Sequence, residues 1–146
     1  MCDPLAGGRT REALTLLTPV PATVALEVAG GAPWRRKALI HSTRRRDAIA
    51  IMRGKQPVAI AMFEVLERRP KRAELAMAFT PAARGEVRGI CRFAQLTLGR
   101  MRQAGLMVFA HVAESNRQGQ RIARAAGFVP AGIADRSVWL FKGKGA

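Results

Sequence analysis

The sequence predicts a mixed α/β fold in which a mostly antiparallel sheet is flanked by helices, in the order β-α-β-β-β-α-β-α-β-β. Three observations carry this prediction. Between Asp47 and Phe79, three apolar or β-branched runs are separated by short polar turns. After Pro81 the apolar residues recur at three- and four-residue steps, the spacing of one helix face. Beyond Gly105, an apolar run leads into a second helical segment that closes at Gly127.

Residues 1–12 read as a polar, Gly-containing, flexible N-terminal arm, and 13–146 as a single domain. Ala13–Leu17 is a short strand closed by Thr18-Pro19, and Ala22–Ala29 a short buried helix ended by Gly30-Gly31. The basic stretch Ala32–Arg46 resists assignment, with Trp34 as a candidate anchor and Lys37–His41 as a continuation of helix. Asp47–Met52 and Val58–Leu66 form a hairpin around Arg53-Gly54-Lys55-Gln56-Pro57, and Ala73–Phe79 adds a third strand after the basic turn that holds Pro70. These strands alternate little, which implies cover on both faces.

In the following helix Val87, Ile90, Cys91, Ala94, Leu98 and Met101 share one face, and Arg84, Arg88 and Arg92 another. Leu106–Ala113 is a buried strand. Ser115 and Gln118 have the spacing of a capping box, in which the two side chains satisfy orphan amides reciprocally. Gly127 ends the next helix by taking a left-handed C′ position. Phe128–Ile133 and Ser137–Phe141 close the chain as two strands around an Asp-containing turn.

A length of 146 residues fits one domain, and 49% apolar residues exclude a disordered chain. Two Cys are too few for a disulfide scaffold: Cys91 reads as core and Cys2 as a free thiol. No run of about 18 apolar residues predicts a spanning helix, and Met1-Cys2-Asp3-Pro4 lacks the order of a secretory signal, so the expected compartment is the cytoplasm. Twenty-five Lys and Arg against ten Asp and Glu give a formal charge of +15, which makes anions the expected partners: nucleic acid, phosphate esters, acidic protein surfaces or anionic lipid. The charge concentrates in Arg35-Arg36-Lys37, Arg44-Arg45-Arg46, and Arg68, Arg69, Lys71 and Arg72, whose plainer reading is solvated loops. Two His and two Cys lie too far apart for a metal-ligand spacing, so no metal is expected. No nucleophile–base pair stands at a recognisable spacing.

Val112-Ala113-Glu114-Ser115-Asn116 leading to Ala126-Gly127-Phe128 resembles the GNAT N-acetyltransferase superfamily, in which a strand ends at an Asn that caps a helix and the helix ends in Gly-Phe. Asn116 and Phe128 keep that twelve-residue spacing. The basic helix, Asn116 and a closing hairpin ending Trp139-Leu140-Phe141-Lys142 are also, more loosely, similar to GNAT-like internal virion proteins of tailed phages. The resemblance implies that Ala73–Thr80 and Leu106–Ala113 splay apart, around Phe79 and Ala110, and that backbone groups freed there pair with the pantetheine arm of acetyl-CoA. It further implies a phosphate loop over Ala82–Gly89 backed by a helix N-terminus. Arg84, Gly85, Arg88 and Gly89 would then meet the phosphates and Asn116 the arm. Glu74 and Glu64 lie on the strands where the family often places a general base, which needs a raised pKa to work near neutrality, and His111 is a candidate base or acid. Each has a plainer reading: a solvated helix face for the arginines, a loop and a tolerated helix glycine for Gly85 and Gly89, a local cap for Asn116, an exposed strand end for Glu74, a cross-strand ion pair for Glu64 and a core histidine for His111.

Two positions depart from the family pattern. Val87 stands where the phosphate loop has its first Gly, with Gly85 out of register and only Gly89 matching. Ala123 stands where the family often carries the Tyr that protonates the CoA sulfur, and the chain has no Tyr. The function implied is acyl transfer from acetyl-CoA to an amine by direct attack. Cationic charge favours an anionic or nucleic-acid-associated acceptor over a polyamine. The alternative is a non-catalytic GNAT-like module, phage-derived and virion-associated, that binds nucleic acid or protein partners through its basic loops. A ribosome- or RNA-associated accessory domain is a third reading.

Overall fold

The computed structural model describes residues 13–45, 47–66, 71–132, 134 and 136–143. The arm expected over 1–12, with Cys2, and most of the basic turn around Pro70 lie outside them. The elements are β1 (Leu14–Leu17), α1 (Ala22–Ala29), α2 (Pro33–Arg45), β2 (Asp47–Arg53), β3 (Gln56–Leu66), β4 (Arg72–Phe79), a 3-10 helix (Pro81–Glu86), α3 (Val87–Gln103), β5 (Met107–His111), α4 (Arg117–Ala126), β6 (Phe128–Pro130) and β7 (Val138–Phe141). All seven strands join one sheet, in the order β1-β2-β3-β4-β5-β7-β6. Of its pairings only β4 with β5 is parallel.

The predicted fold class holds, with one helix more than the sequence reading counted. The unassigned basic stretch is the 13-residue α2. Pro33 starts it, where a missing N–H costs nothing, and straight-chain Arg35, Arg36 and Lys37 lose little freedom in a helix. Of its apolar residues, Leu39 and Ile40 turn inward, against the sheet. Its polar remainder is why no apolar period announced it. Trp34 is not the expected anchor: it is 75% exposed.

Side chains alternate across the strands and both faces are covered. Ala48, Ala50, Met52, Ile60 and Met62 pack beneath α1 and α2 with Ala25, Val28 and Leu39. On the other face Ala61, Phe63, Ala73, Leu75, Val108 and Ala110 pack beneath α3 and α4 with Leu98, Ala123 and Ala126. Period-two alternation thus buries both sets at once, which explains the near-continuous apolar runs. The α3 face read from the sequence is the buried one, with Ile90 and Leu98 inside and Arg88 and Arg92 exposed.

Candidate active site

The parallel ladder between β4 and β5 runs from Arg72↔Met107 to Leu75↔Ala110 and stops there. Beyond that rung each strand follows its outer neighbour. β4 stays with β3 through Met77↔Ala61 and Phe79↔Ala59, and the Thr80 N–H donates to the Val58 carbonyl at 3.0 Å. β5 stays with β7 through His111↔Val138, and the Val112 N–H donates to the Ser137 carbonyl at 2.8 Å. The strands therefore fork, and the inner edges at 76–79 and 111–113 have no strand between them. The Ala113 carbonyl there accepts from the Asn116 N–H at 2.9 Å; inward backbone groups nearer the vertex are obligatory donors and acceptors left for a ligand or water.

A cavity of about 140 Å³ fills the fork on the α3–α4 side, walled by Met77 and Phe79 of β4, Ile90 and Ala94 of α3, and Ile122 and Ala123 of α4. A more open cleft of about 400 Å³ lies on the opposite face, bordered by Arg35, Leu39 and Ser42 of α2. Met77, Phe79 and Asn116 line both, so the two clefts meet at the fork.

Asn116 is the N-cap of α4, and its Oδ1 accepts from the Gly119 N–H at 2.9 Å. The capping box expected from Ser115 and Gln118 does not form. The Asn116 carbonyl takes the Gln120 N–H at 3.1 Å, so the helix starts one residue later and the capped amide is that of Gly119. A Cβ on Gly119 would stand 2.5 Å from Asn116 Nδ2, so this close cap requires glycine. Gln120 Nε2 donates to the Glu114 carbonyl at 2.9 Å and fixes the turn between β5 and α4. The cap uses one end of the Asn116 amide; its NH2 makes no hydrogen bond among the described residues and lies between the clefts. Gly127 closes α4 at φ 103°, the left-handed position the sequence predicted.

Glu74 and His111 come together. Ala73 and Leu75 point beneath α3 and α4, so Glu74 projects to the α1–α2 face, as His111 does beside Ala110. His111 Nε2 lies 3.9 Å from Glu74 Oε2, an ion pair whenever the imidazole is protonated. His111 is not the core histidine of the plainer reading, being 57% exposed, with Glu74 at 41%. Glu74 precedes and His111 follows the last rung of the ladder, so the pair straddles the vertex of the fork. Glu64 stands opposite Glu74, one strand farther from β5.

The stretch 82–89, expected as a phosphate loop, is not an open loop. Pro81–Glu86 is a 3-10 helix that runs directly into α3 at Val87. Its i→i+3 bonds spend the amides an open loop would present, beginning with Ala83 N–H to the Thr80 carbonyl at 3.0 Å. Thr80 Oγ1 in turn donates to the Pro57 carbonyl at 2.9 Å, anchoring the turn to the β3 hairpin. Glu86, at the N-cap position of α3, is 7% exposed and forms a bidentate pair with Arg53: Nη2 donates to Oε1 at 2.7 Å and Nε to Oε2. The positive end of the α3 dipole thus meets a carboxylate of the same chain. Gly89 does not open space for phosphate either, since its absent Cβ faces Leu14 of β1, whose Cδ1 would be 2.2 Å away. Arg84, Gly85 and Arg88 are exposed beside this turn.

Sequence reasoning missed Arg35 and Ser42, because α2 itself was unassigned, and the alanine wall of the cavity. Gly119, Ile122, Ala123 and Ala126 all line it at one-face helical spacing, which was the available signal. Among the described residues no three His, Cys, Asp or Glu side chains gather to hold a metal, and no helix is long and apolar enough to cross a membrane.

No protein-family model and no curated protein sequence matches the chain. Solved structures do. A protein assigned to the GNAT family of acetyltransferases, from Desulfovibrio desulfuricans, superposes with a TM-score of 0.65 at 12% identity over 88% of this chain and 95% of its own. The ribosomal-protein-S18-alanine N-acetyltransferase from Escherichia coli gives 0.60 at 16% identity over 88% and 89%. AtaTR bound with acetyl-CoA gives 0.58 at 13% identity over 90% and 92%. At these identities the likeness is one of fold, and the fold of the described residues is that of the GNAT N-acetyltransferases.

Proposed function

We propose that residues 13–146 form an acyl-CoA-dependent N-acyltransferase that moves an acetyl-type group to an amine by direct attack. The observation that supports this reading most is the fork after Leu75↔Ala110, with a cavity on one face and a cleft on the other. An extended thioester arm bonds the free inner edges of β4 and β5 from the α3–α4 side, and the amine enters from the α2 side. Holding both reactants at one gap converts a bimolecular step into an effectively unimolecular one. The amine nitrogen attacks the thioester carbonyl, a C–N bond forms, and the C–S bond breaks. The ammonium proton passes to Glu74, directly or through His111 or water. The sulfur leaves as thiolate and takes a proton from water or from His111, because Ala123 offers none. Asn116 donates its free NH2 to the arm.

The phosphates of the donor fit this chain differently from the expected loop. With the 3-10 helix bonding amides of its own and Glu86 buried at the start of α3, the Arg84 and Arg88 side chains supply the positive charge. Arg35 at the edge of the α2 cleft favours an acceptor with an anionic group near its amine.

Thermal unfolding tests the reading. Acetyl-CoA at about a hundredfold excess over Kd is expected to raise Tm by roughly 5–10 °C, while a free adenosine nucleotide, lacking the arm, gives a fraction of that. No response to acetyl-CoA, together with salt-sensitive binding to DNA or RNA, would replace it with the non-catalytic module.

A further inference from the structure

We infer that the outward face of α2 binds single-stranded nucleic acid, with Trp34 as the platform on which a base stacks. This surface stands apart from the transferase reading, which needs only the fork and its two clefts. α2 turns Leu39 and Ile40 against the sheet. At 3.6 residues per turn, Trp34, Lys37, His41 and Arg44 then fall together on the far side, and all four are exposed. Arg35 lies on the other flank of Trp34, at the edge of the α2 cleft, so cations stand on both sides of the indole. The stripe from Trp34 to Arg44 is about 15 Å long at 1.5 Å per residue and spans about four stacked nucleotides.

Two features separate this face from an ordinary solvated one. Trp34 is 75% exposed, whereas Trp139, the other Trp of the chain, is 2% exposed. Leaving so large a ring in water forfeits the free energy its burial would release. The charge, in turn, is unanswered: α2 carries no Asp or Glu, and Arg35, Arg36, Lys37 and Arg44 form no ion pair among the described residues. A cationic stripe that tracks a backbone, joined to an open aromatic face, is how single strands are held without regard to sequence. A duplex hides its base faces from the ring. An acidic protein segment would use the cations and leave the ring idle. A bilayer surface needs several bulky apolar side chains on one face, and here Trp34 is joined only by Ala38.

Fluorescence anisotropy of short labelled oligonucleotides tests this with the full chain, using an all-dT strand, an all-U strand and a DNA duplex of equal length. Both single strands are expected to bind, with an affinity that falls steeply as salt rises. Trp34→Ala is expected to weaken single-strand binding about tenfold or more, while duplex binding and the salt slope stay unchanged, because the lost contact is a stacked base without charge. Trp34→Phe restores part of the loss. Lys37→Gln combined with Arg44→Gln instead flattens the plot of log K against log salt by about 0.7 per charge removed. Melting curves confirm that each variant is folded. The inference is overturned if neither single strand binds, if folded Trp34→Ala binds them as wild type does, or if it loses duplex and single strand equally. Anionic vesicles held through Trp34 where oligonucleotides are not would overturn it in favour of a membrane surface. A wild type that binds single strands but shows no Tm response to acetyl-CoA supports this inference while the transferase reading falls.

Discussion

The two ends of the site use the same backbone chemistry in opposite ways. At the fork, β4 and β5 are held by β3 and β7, so their facing edges stay unpaired. At the start of α3, the 3-10 helix bonds its own amides and Glu86 brings its own counter-charge through Arg53. One end keeps its hydrogen-bonding capacity for something else; the other has used it within the chain. Recognition of an extended arm needs only divergent strands. A phosphate cradle needs amides that nothing internal satisfies, and is lost without disturbing the sheet.

Breaking the closed end has the largest expected effect. Arg53→Met removes the bidentate guanidinium from the buried Glu86 carboxylate, which is expected to cost about 3 kcal/mol, the low end of the range for a broken buried pair because Arg53 is 23% exposed. Urea denaturation measures it. The double variant Arg53→Met with Glu86→Leu removes both charges and is expected to recover most of that loss. A single-variant cost below about 1 kcal/mol would mean that the pair does not close this end.

The open end is probed at Asn116, whose amide has two jobs. Asn116→Ala removes the cap and is expected to cost about 1 kcal/mol of stability as well as thioester affinity. Asn116→Ser keeps a capping oxygen, so stability is expected to stay within about 0.5 kcal/mol while affinity falls up to about tenfold with the lost donor. Unchanged thioester affinity in the Asn116→Ser variant would reduce Asn116 to a local cap.

This contrast also marks what the sequence made legible. Strands β2, β3 and β4, the amphipathic α3 and the Gly127 cap follow from local patterns, because apolar spacing and a left-handed glycine act over a few residues. The fork follows from a resemblance whose motifs span about Phe79 to Phe128, and Glu74 and His111 were named from their strands without any sign that they meet. Long-range placement hid the rest. The role of Glu86 depends on Arg53, 33 residues away, and Gly89 serves Leu14 on β1, which no local motif links to α3. α2 escaped because its inward apolar residues are Leu39 and Ile40, set among basic residues. The capping box failed by one residue, since Ser115 and Asn116 are both good caps and only the turn into β5 decides between them.

The smallest expected effect bears on how the closed end meets a phosphate. An amide cradle holds an anion by short directional bonds in a desolvated pocket, and salt screens it little. Exposed guanidinium groups act through solvent and are screened within about 10 Å at 0.1 M salt. If Arg84 and Arg88 supply the charge, replacing both with Ala is expected to weaken acyl-CoA binding only about fivefold at low salt. That difference shrinks toward nothing near 1 M salt, whereas the arm's contribution at the fork persists. Titrations of wild type and double variant across a salt series read this directly as converging lines. Parallel lines, or a wild type indifferent to salt, would show that the phosphates reach bonded groups after all, and that the 3-10 helix opens when the donor binds.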